Sequence, residues 1–459
     1  MRLAVVALVW LVSRAWLVWL VQGPQSWVAG DVSYYFQSLQ GVSALGLAET
    51  LREYPLPAVG VLAVPWVMAI WSGDVTRYLE MFLTVAVLTD LVFTLVLWRA
   101  ARRHSLRPVT TWVLAVPLLG STTYVRFDLL PGVLCGLAVL LLARRPGAAS
   151  VLASVAAGIK LWPVLLLPAL LGVRAARRRV LVGAALTGSL LVVVSLLLAG
   201  WERLFSPLGY QVARGLQVES VLATPAMVAW ALVPDTWVVA YASSKSFEVD
   251  GPAVPALIAA STLATVLYLA ALVASWARLV WLARLRVDVD PATSVWLVLG
   301  AVMGFIVIGK VFSPQYLLWV IPVAATAMVV VDSRPLRSWT ALLLVVAGLT
   351  HVVFPLNYEV ISAGTGAVVA TVAALALRNG LVVWLFVVAA AHAWSGLGSL
   401  SGASSSRASR EGRVAASDAP PAEGPPTPTG VASGLVRRLP RSRGGPRPGP
   451  RPPRQWRCR

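Results

Sequence analysis

Residues 22–40 read QGPQSWVAGDVSYYFQSLQ and form the first polar break in a chain that is otherwise strongly apolar. Residues 3–21, LAVVALVWLVSRAWLVWLV, come directly before this break. A hydrocarbon core about 30 Å thick is spanned by roughly twenty apolar residues in an α-helix, so residues 3–21 are predicted to cross a membrane. The polar stretch therefore lies at a membrane face, and it contains Asp31, the first acidic residue of the chain.

The composition extends this prediction to most of the chain. Hydrophobic residues make up 58% and charged residues 12% of the 459 residues, whereas about a quarter of a soluble domain is charged. These values predict an all-α polytopic membrane protein. The first apolar run is too long for the apolar core of a signal peptide and lacks a small-residue cleavage site, so we expect it to be retained. The two cysteines, Cys135 and Cys458, predict no disulfide framework.

The basic residues follow a pattern that gives the predicted topology. The net charge is +19, and within residues 1–395 the arginines fall in clusters between the apolar runs. Such clusters face the cytoplasm in membrane proteins, so the charge needs no nucleic-acid partner to explain it. The clusters lie at residues 99–107, 144–145, 174–179, 284–286 and 334–337. Placing them inside predicts about eleven transmembrane helices in the plasma membrane, with the loop that contains Asp31 on the extracytoplasmic face.

Three apolar stretches are too short, or too rich in proline, to be ordinary spans. Residues 56–71 contain two prolines and are predicted to form an interfacial or re-entrant helix, because a full span there would put residues 99–107 on the wrong side. The extracytoplasmic first loop is therefore expected to contain short interfacial helices. Residues 148–159 and 161–173 are predicted to be two short spans that meet at Lys160.

The last segment, residues 396–459, differs from the rest of the chain in composition. It is rich in Ser, Pro, Gly and Arg, and it holds twelve arginines against three acidic residues. Such a segment buries too little apolar surface to offset the entropy of ordering, so we predict a disordered cytoplasmic tail. Its charge would attract it to anionic lipid head groups; the alternative is a solvated tail without a partner.

The polar residues near the predicted spans collect at their extracytoplasmic ends. A charged side chain in the middle of a span costs roughly 2.5–3.5 kcal/mol on insertion scales, so a location at the rim is weak evidence by itself. Arg126, Lys160 and Lys310, however, are basic residues on the side that the positive-inside rule disfavours. Cations in that place need an anion, and a phosphate group fits. The collected residues are Asp31, Tyr54, Arg126, Asp128, Lys160, Arg214, Gln217, Glu219, Lys310, Ser313, Gln315 and His351.

Each of these residues also has a purely structural explanation. Asp31 could cap the helix that follows it, with its carboxylate bonded to free backbone N–H groups. Lys160 and Lys310 could extend their ammonium groups to the membrane surface. Arg126 and Asp128 could simply pair with each other.

Two further charged residues, Arg14 and Asp90, fall inside predicted spans and are expected to neutralise each other as a structural pair. The sequence contains none of the common nucleotide-binding or metal-binding motifs, and its few histidines and cysteines lack metal-ligand spacing. We therefore predict no required metal and no cofactor.

Six pieces of the sequence, taken in order, resemble glycosyltransferase family 87, a family of polytopic enzymes with the GT-C fold. The resemblance covers roughly residues 1–395, and the KLWP and SPQYLLW parts are its more specific elements. This chain has Tyr54-Pro55-Leu56-Pro57 where many family members have Tyr-Pro-Pro. The six pieces are GDVSYY (30–35), EYPLP (53–57), RFDLLP (126–131), GIKLWPVLLLP (158–168), RGLQVES (214–220) and KVFSPQYLLWVIP (310–322).

The family includes polyprenyl-phosphate-mannose-dependent mannosyltransferases of mycobacteria. The resemblance therefore implies transfer of a hexose, with mannose suggested, from a polyprenyl-monophosphate donor to a lipid or glycolipid acceptor, with inversion at the sugar. It implies that Asp31 is the general base and that Lys160, Lys310 and Arg126 bind the donor phosphate. The membrane lipids, the donor and the acceptor would be the partners. Residues implied in sugar or acceptor binding are Tyr54, Asp128, Arg214, Gln217, Glu219, Gln315, Tyr316 and His351.

Two other kinds of function fit parts of the same pattern. A lipid-linked sugar flippase or a small-solute transporter also needs polar residues in apolar surroundings, and a non-catalytic membrane scaffold could keep the same fold. Transporter sites lie near the bilayer midplane, whereas the polar residues of this chain collect at one rim. That placement favours the transferase.

Overall fold

The computed structural model describes residues 2–69, 73–101, 105–172, 176–212, 214–233, 236–285 and 287–417. In this part of the chain nearly all of the regular structure is helical, as the composition predicts. The chain divides into two compact units, Met1–Arg407 and Ala408–Arg459. The second unit is described only as the end of the last helix, which continues to Ser417. The predicted disorder of the tail from residue 396 stays a prediction, since residues 418–459 lie outside the described residues.

Within the described residues, the first nine helices are α1 (Arg2–Gln22), α2 (Gly30–Gln40), α3 (Val42–Glu49), α4 (Leu56–Ala69), α5 (Val75–Ala101), α6 (Arg107–Leu119), α7 (Leu129–Leu141), α8 (Pro146–Ile159) and α9 (Leu167–Leu170). The later helices are α10 (Arg177–Val212), α11 (Thr224–Leu232), α12 (Val254–Arg284), α13 (Pro291–Ile308), α14 (Leu317–Val330), α15 (Arg334–His351), α16 (Tyr358–Ala363) and α17 (Val368–Ser417). Two strands, β1 (Val238–Tyr241) and β2 (Phe247–Asp250), form an antiparallel hairpin between α11 and α12.

Seven helices of the described part are long and apolar enough to cross a membrane, which confirms the prediction of a helical membrane protein. They are Leu3–Gln22, Val75–Ala101, Arg177–Gln211, Val254–Arg284, Pro291–Ile308, Arg334–Leu356 and Val368–Leu400. Four further apolar helices have 10–17 residues, namely Leu56–Ala69, Leu129–Leu141, Pro146–Ile159 and Pro314–Val330. A 14-residue α-helix is about 21 Å long, which is less than the thickness of the hydrocarbon core. The predicted count of about eleven spans, and the interfacial helices, therefore stay predictions.

The segment after Lys160 differs from its prediction as a second short span. It forms a 3₁₀ turn over Trp162–Leu166 and then the single turn of α9. Pro163 and Pro168 explain the difference, because a proline has no N–H to donate and its ring clashes with the preceding helical turn. The preceding helix ends where the sequence predicts, since α8 stops at Ile159 and Lys160 has extended backbone angles. Lys160 therefore projects from a break between two helical segments.

The structure describes only some residues of the arginine clusters on which the predicted topology rests. Arg102, Arg103, Arg174 and Arg286 lie outside the described residues. The described clusters are found at the ends of helices, as at the start of α15 and at the end of α12. The orientation of these ends with respect to the membrane stays a prediction.

A buried ion pair lies in the core of the helical bundle. Arg14 of α1 donates from Nε to Asp90 Oδ2 of α5 at 2.8 Å, and the two side chains are 3% and 0% exposed. The indole of Trp112 and the hydroxyl of Tyr124 donate to the same carboxylate, each at 2.6 Å. Removing one partner of such a pair would leave an uncompensated charge in an apolar interior. The prediction that Arg14 and Asp90 neutralise each other is confirmed, and the pair ties α1 to α5 and α6.

Helices α7 and α14 approach each other closely because α7 presents glycines to its neighbour. A methyl group at Gly132 would overlap the backbone carbonyl oxygen of Leu318, and Gly136 faces the same helix one turn later. Small residues spaced four apart let two helix backbones approach in a membrane. The close approach of α14 brings Trp319 within hydrogen-bonding distance of Asp128, which precedes α7.

Replacing the tightest of these glycines tests the importance of this helix contact. We expect Gly132→Ala to destabilise the protein by about 1–3 kcal/mol, because the added methyl group forces α14 away from α7. The measurement is thermal unfolding of the purified protein in detergent, where Gly132→Ala should have a lower Tm than the wild type.

Gly188→Ala in α10 is the matched control, because a Cβ added there meets no atom within 4 Å. This variant should unfold at the wild-type temperature or slightly above it, since alanine is the better helix former. Equal Tm values for Gly132→Ala and the wild type would contradict the proposed tight contact.

Candidate functional site

Asp31 lies in the first turn of α2 but does not cap that helix. The residue at the cap position is Ala29, and no side chain accepts a capping hydrogen bond there. The Asp31 carboxylate is instead 3.0 Å from Nε of Arg126, which follows α6 in the chain. The Asp31 side chain is 43% exposed, whereas that of Arg126 is 9% exposed. A buried guanidinium thus holds a carboxylate that a molecule from outside can still reach.

Arg126 is itself held by the backbone around it. Its Nη1 donates to the carbonyl oxygens of Val28 and Val125, at 3.0 Å each. Its Nε is close to Asp31 but makes no well-directed hydrogen bond within the described structure. The contact with Asp31 is therefore electrostatic. The guanidinium can still donate a hydrogen bond on the side that faces the carboxylate.

A second ion pair begins two residues further along the chain. Lys160 donates from Nζ to Asp128 Oδ1 at 2.6 Å, and the indole of Trp319 donates to the same oxygen at 2.6 Å. The Asp128 side chain is 1% exposed and that of Lys160 is 17% exposed. Arg126 and Asp128 therefore pair with two other segments of the chain and not with each other.

Aromatic rings surround the ammonium group of Lys160. Its Nζ lies 5.7 Å from the ring centre of Tyr54 and 4.9 Å from that of Phe127. It lies 6.0 Å from the ring centre of Tyr316 and 5.5 Å from that of Trp319. A cation at such distances is attracted to the faces of the rings. An ammonium group has three hydrogens, so the bond to Asp128 leaves donor capacity directed into this aromatic group.

Tyr54 connects the two ion pairs. Its ring contacts Phe127 edge to face, with 4.9 Å between the ring centres, and contacts Tyr35 of α2 with 6.2 Å between them. Burial raises the pKa of the Tyr54 hydroxyl well above its usual value, and the negative charge of Asp31 raises it further. Tyr54 therefore stays a neutral hydrogen-bond donor at physiological pH.

The chain before Tyr54 is fixed by an arginine that sequence analysis did not single out. Arg203 of α10 is 2% exposed and donates to the carbonyl oxygens of Thr50, Leu51 and Tyr54, at 3.1, 3.0 and 2.7 Å. Leu51 has a φ of 53°, a left-handed conformation that is unusual for a leucine. Arg203 thus holds a strained turn whose end carries Tyr54. A charged residue close to the end of a long apolar run is the sequence signal that could have identified it.

Lys310 belongs to a second group of polar contacts. Its Nζ donates to the carbonyl oxygen of Arg214 at 2.7 Å, and its own carbonyl oxygen accepts from Gln217 N at 3.0 Å. The side-chain oxygen of Gln217 accepts from Phe312 N at 2.7 Å. Burial lowers the pKa of the Lys310 ammonium, and the negative charge of Glu248 opposes this. The segment 214–217 therefore lies along the segment 310–312, as two extended pieces joined by hydrogen bonds.

Glu219 is an internal anchor of this second group. Its carboxylate accepts from Arg378 Nη1 at 2.8 Å, and the side chains of the pair are 1% and 0% exposed. Arg378 Nη2 also donates to the carbonyl oxygen of Glu219 at 2.6 Å, and Asn379 donates to that of Ser220 at 3.2 Å. Burial raises the pKa of the Glu219 carboxyl, and the guanidinium of Arg378 opposes this. Arg378 is a residue that sequence analysis missed, although an arginine within an apolar helix demands an acidic partner.

The remaining predicted site residues, Gln315, Tyr316 and His351, lie at two other places in the fold. Gln315 and Tyr316 form the 3₁₀ turn before α14 and are half-buried. The Tyr316 ring stacks on Trp319 with 3.7 Å between the ring centres and contacts Phe312 at 6.4 Å, so it joins the two groups. His351 ends α15, is 8% exposed, and packs against the backbone after α6.

Direct contacts therefore join most of the predicted residues into two neighbouring groups. The first group is Asp31, Tyr54, Arg126, Asp128, Lys160 and Tyr316, and the second is Arg214, Gln217, Lys310 and Ser313. Glu219 follows Gln217 in the chain and has its described contacts with Arg378 and Asn379. His351 has its described contacts with the end of α6. The roles predicted for all of these residues in binding and catalysis stay predictions.

The described part of the chain has no group of three or more His, Cys, Asp or Glu side chains that could hold a metal ion. The two groups contain the cations Arg126, Lys160, Arg214 and Lys310, which can bind an anion. An exposed carboxylate beside them can accept a proton. This combination suits a reaction in which a hydroxyl group attacks and a phosphate group leaves.

Comparison with known proteins gives a match to a family model. The family model described as glycosyltransferase family 87 matches residues 53–246. This range contains Tyr54, Arg126, Asp128 and Lys160, and it ends within the β1–β2 hairpin. No curated protein and no solved structure matches the chain.

A pair of substitutions tests whether the contact between Glu219 and Arg378 is structural. We expect Arg378→Met to lower the free energy of unfolding by about 3–5 kcal/mol, because it leaves the Glu219 carboxylate buried without its partner. The double variant Arg378→Met with Glu219→Leu should recover most of this loss, since it removes both charges. Unfolding in mixed micelles of SDS and dodecylmaltoside gives the free energies.

The control is Arg77→Met, which removes a guanidinium from an ion pair whose side chains are 61% and 36% exposed. Its effect should stay below about 1 kcal/mol. If Arg378→Met is as mild as Arg77→Met, the pair does not anchor the segment around Glu219.

Proposed function

Residues 53–246 match the model of glycosyltransferase family 87, and from this match we propose that the chain is a member of that family which transfers a hexose from a polyprenyl monophosphate to a lipid or glycolipid acceptor. The family match and the apolar helices support a membrane glycosyltransferase. Mannose is the sugar that the family likeness suggests. The reaction inverts the configuration at the anomeric carbon, and it proceeds at the extracytoplasmic face of the plasma membrane.

The observation that carries this proposal is the half-exposed Asp31 carboxylate held 3.0 Å from the buried Arg126. In the proposed reaction an acceptor hydroxyl attacks the anomeric carbon and forms the new C–O bond. The bond between that carbon and the phosphate oxygen breaks, and its electron pair leaves with the phosphate. Asp31 takes the hydroxyl proton as general base. The fixed position of its carboxylate, and its exposure, suit it to this role.

The cations of the site would stabilise the leaving group. The phosphate gains negative charge as the C–O bond breaks, and preorganised positive groups lower the energy of that state. Arg126 and Lys160 are both held in place by backbone or side-chain partners before a substrate arrives. Lys310 is held by the Arg214 carbonyl oxygen. Groups fixed in this way need little rearrangement during the reaction, which supports their assignment to the donor phosphate.

The aromatic group around Lys160 supports the assignment of sugar binding. Tyr54, Tyr316 and Trp319 lie around the ammonium group, and ligand sites are typically lined by aromatic side chains with a few fixed polar groups. Gln315 adds an amide group that can bond to sugar hydroxyls, whereas the Gln217 amide already bonds within the protein and would act by fixing the segment 310–312. Glu219 and His351 would act through the segments that they hold, since their described contacts are internal.

The positions of the helix ends support the proposed orientation. Helix α7 runs from the residue after Asp128 towards Arg144, and α8 runs back from the residue after Arg145 to the residue before Lys160. The site residues and the arginine cluster are therefore at opposite ends of the same two helices. Arginine clusters face the cytoplasm, so we place Asp128 and Lys160 on the extracytoplasmic side and the C-terminal tail in the cytoplasm.

Replacing the proposed general base tests this function. Purified protein is given a radiolabelled polyprenyl-phosphate sugar and an extracted glycolipid fraction, and transfer of label to the glycolipid is measured. Asp31→Asn should lower the transfer rate by about 10²–10⁴-fold, because the amide cannot take the proton. Binding of the donor should be retained, since asparagine is polar and the change removes a negative charge beside the phosphate.

Glu49→Gln is the matched control, because Glu49 is an exposed acid of the same loop that pairs with Arg52. Its transfer rate should equal that of the wild type. A wild-type rate in Asp31→Asn would exclude Asp31 as the base. The absence of transfer by the wild type from every polyprenyl-phosphate sugar would overturn the proposed function, in favour of a flippase, a transporter or a scaffold.

A further inference from the structure

Lysine is rare in this chain, and its few positions are informative. Of the 38 basic residues only three are lysines, namely Lys160, Lys245 and Lys310. Two of them lie in the candidate site. A lysine ammonium is a compact point charge on a flexible stem, which distinguishes it from the planar arginine group. The position of the third lysine therefore bears on the extent of the site.

Lys245 lies in the turn of the β1–β2 hairpin and points at α2. Its φ is 59°, a left-handed conformation that a residue with a side chain adopts rarely. Its Nζ lies 3.1 Å from the ring centre of Tyr34. Residues three apart on a helix share a face, so Tyr34 lies one turn along from Asp31 on the same face of α2. The hairpin thus places an ammonium group over the face that carries the proposed base.

The hairpin turn is held by a hydrogen bond from α10 and by the contact of Lys245 with Tyr34, whose ring is itself fixed by a hydrogen bond. The hydroxyl of Tyr210 in α10 donates to the carbonyl oxygen of Ser244 at 3.1 Å. The hydroxyl of Tyr34 donates to Glu53 at 2.8 Å, which fixes the ring under Lys245. The turn is therefore attached to the first loop and to α10.

The same hairpin is also joined to the second group of the site. The carboxylate of Glu248 accepts from Gly215 N at 3.2 Å, and Arg214 donates to the hydroxyl of Ser246 at 3.0 Å. Arg214 is in turn the residue whose carbonyl oxygen holds Lys310. The hairpin therefore bridges the part of the site that contains Asp31 and the part that contains Lys310.

The charges around Lys245 favour a protonated ammonium group. Burial lowers the pKa of Lys245, and the negative charges of Glu53 and Asp31 oppose this. Among the described residues no carboxylate forms an ion pair with Lys245, and its side chain is exposed. Its contact with Tyr34 is of the cation–π kind, which is weak at an exposed position. Exchange of this contact for a charge-assisted hydrogen bond to a phosphate oxygen would therefore be favourable.

We propose that Lys245 is a further residue of the site, which binds the phosphate of the lipid-linked donor beside Asp31, and that the hairpin turn forms a wall of the donor site. This inference rests on the proposed function. The three lysines then surround one anionic group, with Lys160 on the aromatic side, Lys310 on the side of the 310–312 segment, and Lys245 on the side of α2.

Because the chain has only three lysines, the binding of a phosphate ligand to each of them can be followed directly. Reductive methylation with ¹³C-formaldehyde converts each lysine to a charged dimethylamine with its own NMR signal. Single Lys→Arg variants assign the three lysine signals. Addition of polyprenyl monophosphate, the leaving group of the proposed reaction, should shift the Lys245 signal saturably. The matching polyprenol, which lacks the phosphate, should leave it unchanged.

Three outcomes of this experiment would overturn the inference. One is a Lys245 signal that stays in place while the signals of Lys160 or Lys310 move with polyprenyl monophosphate. A second is an equal shift with the polyprenol. A third is an equal shift with phosphatidylglycerol, which would show that Lys245 responds to any anionic lipid at the membrane surface.

Kinetics give an independent test. Lys245→Met should raise KM for the donor at least tenfold, with a smaller change in kcat, because the contact exists before the reaction begins. Lys245→Arg should retain most of the wild-type affinity, since the positive charge remains. The control Arg77→Met removes an exposed cation from the start of α5 and should have the wild-type KM. Equal KM values for Lys245→Met and Arg77→Met would overturn the inference.

These results separate the two proposals. If the wild type transfers sugar and Lys245→Met has an unchanged donor KM, Lys245 is not in the donor site, and the proposed function stands. If the wild type transfers no sugar and none of the lysine signals responds to polyprenyl monophosphate, both the proposed function and the inference fail.

Discussion

Two ion pairs that start from one short loop hold the two sides of the candidate site together. Arg126 binds Asp31 of the first loop, and Asp128 binds Lys160 in the break between α8 and α9. Charges that leave water must be paired, and in a membrane protein the cost of an unpaired charge is especially high. This requirement couples the position of each cation to the position of its acid. The geometry of the site therefore depends on how closely the helices that carry them can pack.

The glycines of α7 and the buried arginines supply this packing. Gly132 lets α14 approach until Trp319 reaches Asp128. Arg203 donates hydrogen bonds to the backbone of the turn that ends at Tyr54, and Arg378 binds the Glu219 carboxylate. These residues need not touch a substrate to matter, because each holds a segment that carries a site residue. The site is thus made of short extended pieces and turns, positioned by long helices whose apolar surfaces the bilayer accepts.

Many residues of the candidate site could be predicted from the sequence, because charged residues are rare in this chain. Asp31, Arg126, Asp128, Lys160 and Lys310 are visible as charges next to apolar runs, and the structure brings Asp31, Arg126, Asp128 and Lys160 together by direct contact. The β1–β2 hairpin was not predicted, since its two strands have four residues each within a long polar segment. Lys245 was missed with it. The role of a residue in such a turn can be inferred only when the helix on which the turn packs is known.

The sequence by itself determined that this is a helical membrane protein, because the lengths of its apolar runs match the thickness of a bilayer. It also identified several charges next to apolar runs that needed a partner, although Arg203 and Arg378 were missed. Apart from the pair of Arg14 and Asp90, only the tertiary structure decided the partners of these charges: Asp128 meets Trp319 across 191 residues, and Arg378 meets Glu219 across 159 residues. Such pairs are set by the packing of helices that are distant in sequence. Local patterns of hydrophobicity and charge therefore contain no record of them.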